Sequence, residues 1–182
     1  MFKHAGRYEL IVFDFDGTLV NTPGREEAEC LYLAAKGEPW PHIGFYGRPE
    51  SLIPPVFPEV PDESFAIQEV AAICRKGECD LSILMTGRPY KMRKRVLEIC
   101  EHLGLKFGAS YFRGQSDCNN KGDTFVFKVS VLEKLLVLAP QELEMWEDRE
   151  DHFAQFQELF GVFRGNYPDV NFVLHRVLSG QV

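Results

Sequence analysis

The chain has 182 residues, a length that fits one domain and argues against two of full size. Hydrophobic residues make up 45% and charged residues 26%, which is ordinary for a globular protein and excludes a disordered or collagen-like chain. The net charge of −7 has the wrong sign for a protein that coats nucleic acid or an anionic membrane, so we do not expect bulk nucleic-acid binding.

The N-terminus and the apolar stretches predict a cytoplasmic protein with no membrane partner. Met1 to His4 lead directly into charged residues, without the apolar segment and cleavage site of a signal peptide. Apolar stretches such as Leu135 to Ala139 are far shorter than the roughly 18 residues that a membrane helix needs. The five cysteines are an odd number, which favours buried thiols over a disulfide scaffold.

The first predicted element is a buried strand, and helices and strands alternate after it. Residues 8–16 are almost wholly apolar until they reach two carboxylates, as in a central parallel strand. Further strands are predicted at 81–85, 107–112, 143–146 and 171–178, preceded by helices at 64–76, 89–104, 125–138 and 149–160. The alternation predicts the α/β class, a three-layer α/β/α sandwich with a mostly parallel sheet.

Residues 20–62 interrupt this alternation. Eight of the eleven prolines lie between residues 23 and 61, so only a helix over 25–36 is predicted there. A segment of this size rarely supports its own core, so we expect an insert or lid packed near the end of the first strand, within one domain spanning 1–182. Its aromatic residues either pack on the sheet, the simpler interpretation, or stack on nucleic-acid bases. These residues are Trp40, Phe45, Tyr46 and Phe57.

Asp14 and Asp16 come at the end of the first strand. Residues two apart in a strand point to the same side, and ligands of open parallel sheets bind beyond the carboxyl ends of the strands. Two carboxylates at that edge are typical of a site for a hard cation such as Mg²⁺, which also binds phosphate oxygens. An Asx turn without a ligand is the alternative interpretation.

The sequence Asp-Phe-Asp-Gly-Thr-Leu at 14–19 resembles the motif that opens the haloacid dehalogenase (HAD) superfamily of aspartate-nucleophile phosphatases. The resemblance implies a Rossmann-like sheet and an Mg²⁺-dependent phosphohydrolase that works through an aspartyl-phosphate. Asp14 would be the nucleophile and Asp16 the general acid and base. The Mg²⁺ ligands are expected among Asp14, Asp16, Glu147 and Asp148, with Asp16 acting through its backbone carbonyl. No segment is long enough for a large cap domain.

Two later segments match further motifs of the superfamily. Thr86 ends the second strand in Leu-Met-Thr-Gly-Arg and would form a hydrogen bond to the transferring phosphoryl group. A threonine before Pro89 is also typical of a helix N-cap, which is the alternative. Lys128 is preferred to Lys121 as the catalytic lysine, because it lies on the core-facing side of the third helix. An ordinary solvated lysine is the alternative. The expected substrate contacts are Thr18, Gly87 and Arg88.

The fourth motif is the carboxylate pair that ends the strand at 143–146. The superfamily normally has Asp-Asp or Gly-Asp there, so Glu147 is a departure and leaves the metal ligand open among Glu147, Asp148 and Asp151. Asp148 is preferred. An acidic helix N-terminus that complements the helix dipole is the alternative. We expect His152 on the surface, rather than bonded to a site carboxylate.

Together, four segments resemble the HAD-like domain termed Swiss Army Knife RNA repair-like. They are Tyr-Gly-Arg-Pro-Glu-Ser-Leu at 46–52, Leu-Met-Thr-Gly-Arg-Pro at 84–89, Phe-Lys at 127–128 and Glu-Asp-Arg at 147–149. The resemblance implies RNA repair and a phosphorylated small molecule or nucleic-acid end as substrate. Tyr-Phe-Arg-Gly at 111–114 departs from the expected Lys-Pro pair. The alternatives to a phosphatase are a catalytically quiet module that binds a phosphorylated ligand or a protein, and a phosphotransferase with an acceptor other than water.

A basic cluster follows the second motif. It consists of Arg88, Lys91, Arg93, Lys94 and Arg95. One interpretation is a patch that holds the phosphates of a nucleotide or nucleic-acid end. We favour the other, the solvated face of an amphipathic helix, because runs of charge usually have that explanation.

Overall fold

Five parallel strands form the central sheet of the protein. A computed structural model describes residues 8–77, 81–114 and 123–178. The strands are β1 (Glu9–Phe13), β2 (Ser82–Pro89), β3 (Ala109–Arg113), β4 (Glu142–Glu147) and β5 (Asn171–Arg176). Their order in the sheet is β3-β2-β1-β4-β5, so β1 is central and pairs with both β2 and β4. The predicted α/β class and parallel sheet are confirmed.

The structure describes five α-helices, and the last four of them cover the two faces of the sheet. They are α1 (Arg25–Lys36), α2 (Gln68–Lys76), α3 (Arg93–His102), α4 (Thr124–Leu136) and α5 (Glu150–Asn166). Phe13 of β1 packs in a core with α2 and α3, whereas its neighbour Val12 packs in a second core with α4 and α5. Alternate residues of β1 therefore bury opposite faces, and the sheet is the middle of three layers.

Two predicted helix starts are wrong. The helix predicted from Pro89 begins as α3 at Arg93, because β2 continues to Pro89, which pairs with Arg113 after a shift in register. The helix predicted from residue 64 begins as α2 at Gln68. Ala66 forms a bridge to Val20, and this pairing keeps the chain extended just before the helix.

The insert between β1 and α2 contains α1 and little other regular structure. Phe45 packs in a small core of its own with Ala28 and Val56, while Leu52 and Phe57 pack in the core shared with α2 and α3. Arg95 of α3 donates to the carbonyls of Leu52, Pro58 and Glu59, at 2.7–2.9 Å. Packing explains the buried rings of Phe45 and Phe57, and it attaches the insert beside the end of β1.

The topology predicts where a ligand would bind. The chain runs from β1 to β2 and β3 on one side, and then crosses to β4 on the other side of β1. This reversal makes a crevice at the carboxyl ends of β1 and β4, where open parallel sheets bind ligands. Within the described ranges, no large cap domain covers this edge. None of the helices described there is both long and apolar enough to cross a bilayer.

Candidate active site

Polar side chains meet in a cavity of about 430 Å³ at the carboxyl ends of the central strands. Asp14 and Asp16 follow β1, and Asp148 follows β4 directly. Lys128 reaches the cavity from the first turns of α4. The other lining residues are Tyr46, Gly87, Arg88, Arg113, Thr124, Arg149 and His152.

Lys128 joins two of the acids at the floor of the cavity. Its Nζ donates to Asp14 Oδ2 and to Glu147 Oε2, both at 2.6 Å, and the residue is only 1% exposed. The Asp123 carboxylate caps α4 by accepting from the N–H groups of Phe125 and Val126, which orients the first turn of the helix. Burial on its own lowers the pKa of Lys128, but the two carboxylates outweigh it and raise that pKa above its usual value. The ammonium is therefore charged.

Asp14 and Glu147 respond differently to this lysine. Burial raises the pKa of Asp14 well above its usual value, and Lys128 opposes this only in part because Glu147 and Asp148 also lie close. Burial also pushes the pKa of Glu147 upward, but Lys128 and His152 outweigh it and lower the value to about 2. One lysine cannot neutralise three carboxylates, so the cluster has a deficit of positive charge.

The acidic cluster fits a hard cation. One oxygen from each of Asp14, Glu147 and Asp148 lies within 4.8 Å of the others, and carboxylate oxygens are the ligands that Mg²⁺ prefers. Burial raises the pKa of Asp148 to about 6, and the nearby Glu147 charge adds to the increase. Thr18 donates to Asp148 Oδ1 at 3.3 Å. The structure therefore places Thr18 beside an acid, although it was expected at the substrate.

The Asp16 side chain lies outside this acidic cluster. Both of its carboxylate oxygens accept from Arg88, at 2.9 Å from Nε to Oδ2 and at 2.7 Å from Nη2 to Oδ1. Thr22 donates to Asp16 Oδ1 at 2.7 Å. The geometry therefore does not place the Asp16 side chain among the metal ligands. Metal binding through the Asp16 backbone carbonyl stays a prediction.

Thr86 and Gly87 lie where β2 reaches the cavity. The Thr86 hydroxyl is fully buried and accepts from the backbone N–H of Arg88 at 3.1 Å. It does not cap a helix, because β2 continues to Pro89. Gly87 lines the cavity, and a Cβ there would lie 2.5 Å from Thr124 Cγ2. A larger residue at position 87 would therefore have to displace the Thr124 side chain.

The family of the chain follows from its sequence match. Residues 65–177, more than half of the chain, match HAD domain family 1 in Swiss Army Knife RNA repair proteins. The chain belongs to this family. The match runs from just before α2 to just after β5, so Asp14 and Asp16 of the HAD domain precede the matched range. No curated protein sequence matches the chain.

The expectation of a surface position for His152 is wrong for this HAD domain. His152 is 3% exposed, and its Nδ1 lies 3.7 Å from Glu147 Oε2, too far for a hydrogen bond. This nitrogen has no hydrogen-bond partner in the described part of the chain. The signal was in the spacing, since His152, Phe156 and Phe160 recur every four residues and form the buried face of α5.

The basic cluster does not form one patch at the site. Among its five residues only Arg88 lines the cavity, and Lys94 is 91% exposed on its side chain. Arg95 holds the insert, as described above. The favoured interpretation of a solvated helix face therefore holds for Lys94 and fails for Arg88 and Arg95. The preferred lysine, Lys128, lines the cavity, whereas its rival Lys121 lies outside the described residues.

Sequence reasoning missed three cavity residues, Arg113, Thr124 and Arg149. Arg113 ends β3, and the other two lie at the starts of helices that follow strands, so all three are at the carboxyl edge of the sheet. The side chain of Arg149 is half-exposed and pairs with Asp151 at 2.6 Å. Asp151 is thereby directed to Arg149, outside the acidic cluster of Asp14, Glu147 and Asp148.

Proposed function

We propose that the protein is an Mg²⁺-dependent phosphatase that works through an aspartyl-phosphate intermediate. The observation that carries the proposal is the buried ammonium of Lys128, which lines the cavity and donates hydrogen bonds to both Asp14 and Glu147. A buried, charged lysine next to a carboxylate nucleophile offsets the negative charge that a phosphate brings. Membership of the HAD family supports the same class of reaction.

In the first step, a carboxylate oxygen of Asp14 attacks the phosphorus of a phosphate monoester. The new bond joins this oxygen to phosphorus, the bond from phosphorus to the ester oxygen breaks, and Asp16 donates a proton to the leaving oxygen. Lys128 stays bonded to Asp14 and stabilises the charge as it moves. Arg88 holds Asp16 at the wall of the cavity, where it can reach the leaving group.

In the second step, water hydrolyses the aspartyl-phosphate. Asp16 takes a proton from the water, the water oxygen bonds to phosphorus, and the bond from phosphorus to the Asp14 oxygen breaks. Inorganic phosphate leaves and both aspartates return to their starting state, so the reaction consumes only the ester and one water. A phosphotransferase would replace that water with another acceptor.

Asp14, Glu147 and Asp148 are the residues that would hold Mg²⁺. When bound, Mg²⁺ would supply the positive charge that lets a dianionic phosphate approach several carboxylates. The acidic protein could then accept an anionic substrate.

Gly17→Ala is expected to weaken Mg²⁺ binding by about tenfold or more, as displaced metal ligands usually do. Gly17 has φ +68°, and an added Cβ would lie 2.7 Å from Asp148 Cγ, so the carboxylate has to move. Gly37→Ala is the matched control, because Gly37 has φ +74° and nothing lies within 4 Å of its Cβ position. Mg²⁺ titration followed by calorimetry measures the difference. Equal affinities in the two variants would contradict the assignment of Asp148.

The proposed substrate is a nucleotide or RNA end with a terminal phosphate. The name of the matched family refers to RNA repair, and the half-exposed ring of Tyr46 lies at the cavity beside Arg88. An aromatic ring at that position can stack on a base adjacent to the phosphate. The acidic net charge still argues against binding along an extended nucleic acid.

The test is phosphate release from an aryl phosphate, from nucleotides, and from oligonucleotides with 5′- or 3′-phosphates, each with Mg²⁺ and with a chelator. We expect Mg²⁺-dependent turnover, with oligonucleotide ends or nucleotides ranked above the aryl phosphate in kcat/KM. Phosphoryl transfer to an added alcohol in preference to water would favour the phosphotransferase. Tight binding of these phosphates without release from any of them would favour a quiet binding module.

A further inference from the structure

Arg88 is a buried arginine whose three guanidinium nitrogens are all bonded to protein groups. Its side chain has no exposed surface. Nε and Nη2 donate hydrogen bonds to the two carboxylate oxygens of Asp16. Nη1 donates to the carbonyl of Tyr46 at 3.1 Å and to Ser51 Oγ. Arg88 was expected to bind substrate phosphate. Its contacts instead join Asp16 to the insert.

Ser51 is oriented to serve as the acceptor on the insert side. It is fully buried, and its own hydroxyl donates to the carbonyl of Arg48 at 2.7 Å. Because that hydrogen is committed to Arg48, the oxygen presents a lone pair to Arg88. An arginine has only donors, so this fixed acceptor and the Tyr46 carbonyl together orient the Nη1 end of the guanidinium. The adjacent Leu52 carbonyl is held in turn by Arg95.

We infer that Ser51 is a positioning residue for the acid and base Asp16, acting through Arg88. This inference rests on the proposed function and goes beyond it, because it assigns a catalytic task to the insert. Ser51 contacts neither the cavity nor the acidic cluster of Asp14, Glu147 and Asp148 in the described structure. Its effect on the reaction therefore has to pass through Arg88.

The two chemical steps need Asp16 to different degrees. An aryl oxide leaves readily without a proton, so transfer of the phosphoryl group to Asp14 needs little acid when the substrate is an aryl phosphate. Hydrolysis of the aspartyl-phosphate needs Asp16 to take the proton of water. A displaced Asp16 therefore slows the second step alone with an aryl phosphate, and both steps with an alkyl phosphate.

The experiment is rapid mixing of Ser51→Ala with an aryl phosphate and Mg²⁺. We expect kcat to fall about tenfold. This is less than the effect of removing a general acid or base altogether, because Asp16 is displaced and not lost. KM should fall by the same factor, leaving kcat/KM unchanged. A burst of aryl alcohol close to one per protein molecule should precede the steady state, and mass spectrometry should show one phosphoryl group on Asp14. With an alkyl phosphate, kcat/KM should fall as well.

Ser130→Ala is the matched control. Its hydroxyl also donates to the carbonyl three residues earlier, at 2.7 Å from the Phe127 oxygen. We expect it to show wild-type kcat and no burst. Arg88→Lys keeps the positive charge but loses the paired contact with Asp16, so it should accumulate the phosphoryl-protein as Ser51→Ala does. These expectations distinguish positioning from loss of fold, which would lower kcat without producing a burst and leave KM unchanged.

Three outcomes would overturn the inference. Ser51→Ala could behave as Ser130→Ala does, or it could show a lower kcat with no burst and an unchanged KM. It could also raise KM without accumulating phosphoryl-protein, which would make Arg88 a substrate ligand. An inactive wild type would instead contradict the proposed function. In that event urea unfolding tests whether Ser51 and Asp16 are coupled. Coupling through Arg88 requires that the midpoint shifts of Ser51→Ala and Asp16→Asn are not additive in the double variant. Additive shifts would overturn the inference.

Discussion

Asp14→Asn is expected to abolish phosphate release, with a fall in kcat on the order of 10⁴-fold or more, because it removes the nucleophile. An amide oxygen is a poor nucleophile, and no aspartyl-phosphate can form at this position. The measurement is Mg²⁺-dependent phosphate release, together with mass spectrometry of protein quenched during turnover. A small fraction of wild type should carry a phosphoryl group, because the intermediate is hydrolysed as fast as it forms, and the variant should carry none.

The Asp14→Asn variant should remain folded, so its inactivity has a chemical cause. Lys128 keeps Glu147 as a partner at 2.6 Å, and the substitution removes a carboxyl group whose charge is already disfavoured by burial. Circular dichroism and the urea midpoint test this. Asp169→Asn is the control, since Asp169 is exposed just before β5, at the opposite end of the sheet. Turnover by Asp14→Asn near the wild-type rate would exclude the aspartyl-phosphate mechanism.

Lys128→Met is expected to lower the free energy of unfolding by about 3–5 kcal/mol, the usual cost of breaking a buried ion pair by removing one partner. Asp14 and Glu147 both lose their bond to Nζ, and each remains buried near the other and near Asp148. Methionine fills a similar volume and leaves no large cavity. The loss of stability therefore comes from the uncompensated charge of the two carboxylates. Urea unfolding without divalent cations measures the change.

Lys94→Met is the matched control for Lys128→Met. Lys94 is 91% exposed on its side chain and lies 3.7 Å from Glu98, a solvated pair one helical turn apart. Such pairs contribute about 0.5 kcal/mol or less, so the control should be nearly as stable as wild type. Similar losses in the two variants would show that Lys128 does not carry the buried pairing described above. Complete loss of phosphate release by Lys128→Met is expected in addition.

Local patterns predicted the features of the site that one segment can encode. The position of Asp14 and Asp16 follows from a buried run that ends in two carboxylates, and the core-facing side of Lys128 follows from helical spacing. The same spacing places His152 on the buried face of α5, although its polarity and its place at a helix start favour a surface position. The start of α3 was misplaced because the pairing of Pro89 with Arg113 depends on a strand that comes later in the chain.

The sequence by itself determined the α/β alternation, the family resemblance and the set of acids at the strand ends, because each depends on neighbouring residues. Tertiary structure decided the pairings among them. Lys128 meets Asp14 across 114 positions, and Arg88 meets Asp16 across 72 and Ser51 across 37. No local periodicity specifies contacts at such separations. They arise because parallel strands bring their carboxyl ends to one edge of the sheet, where buried charges must find partners.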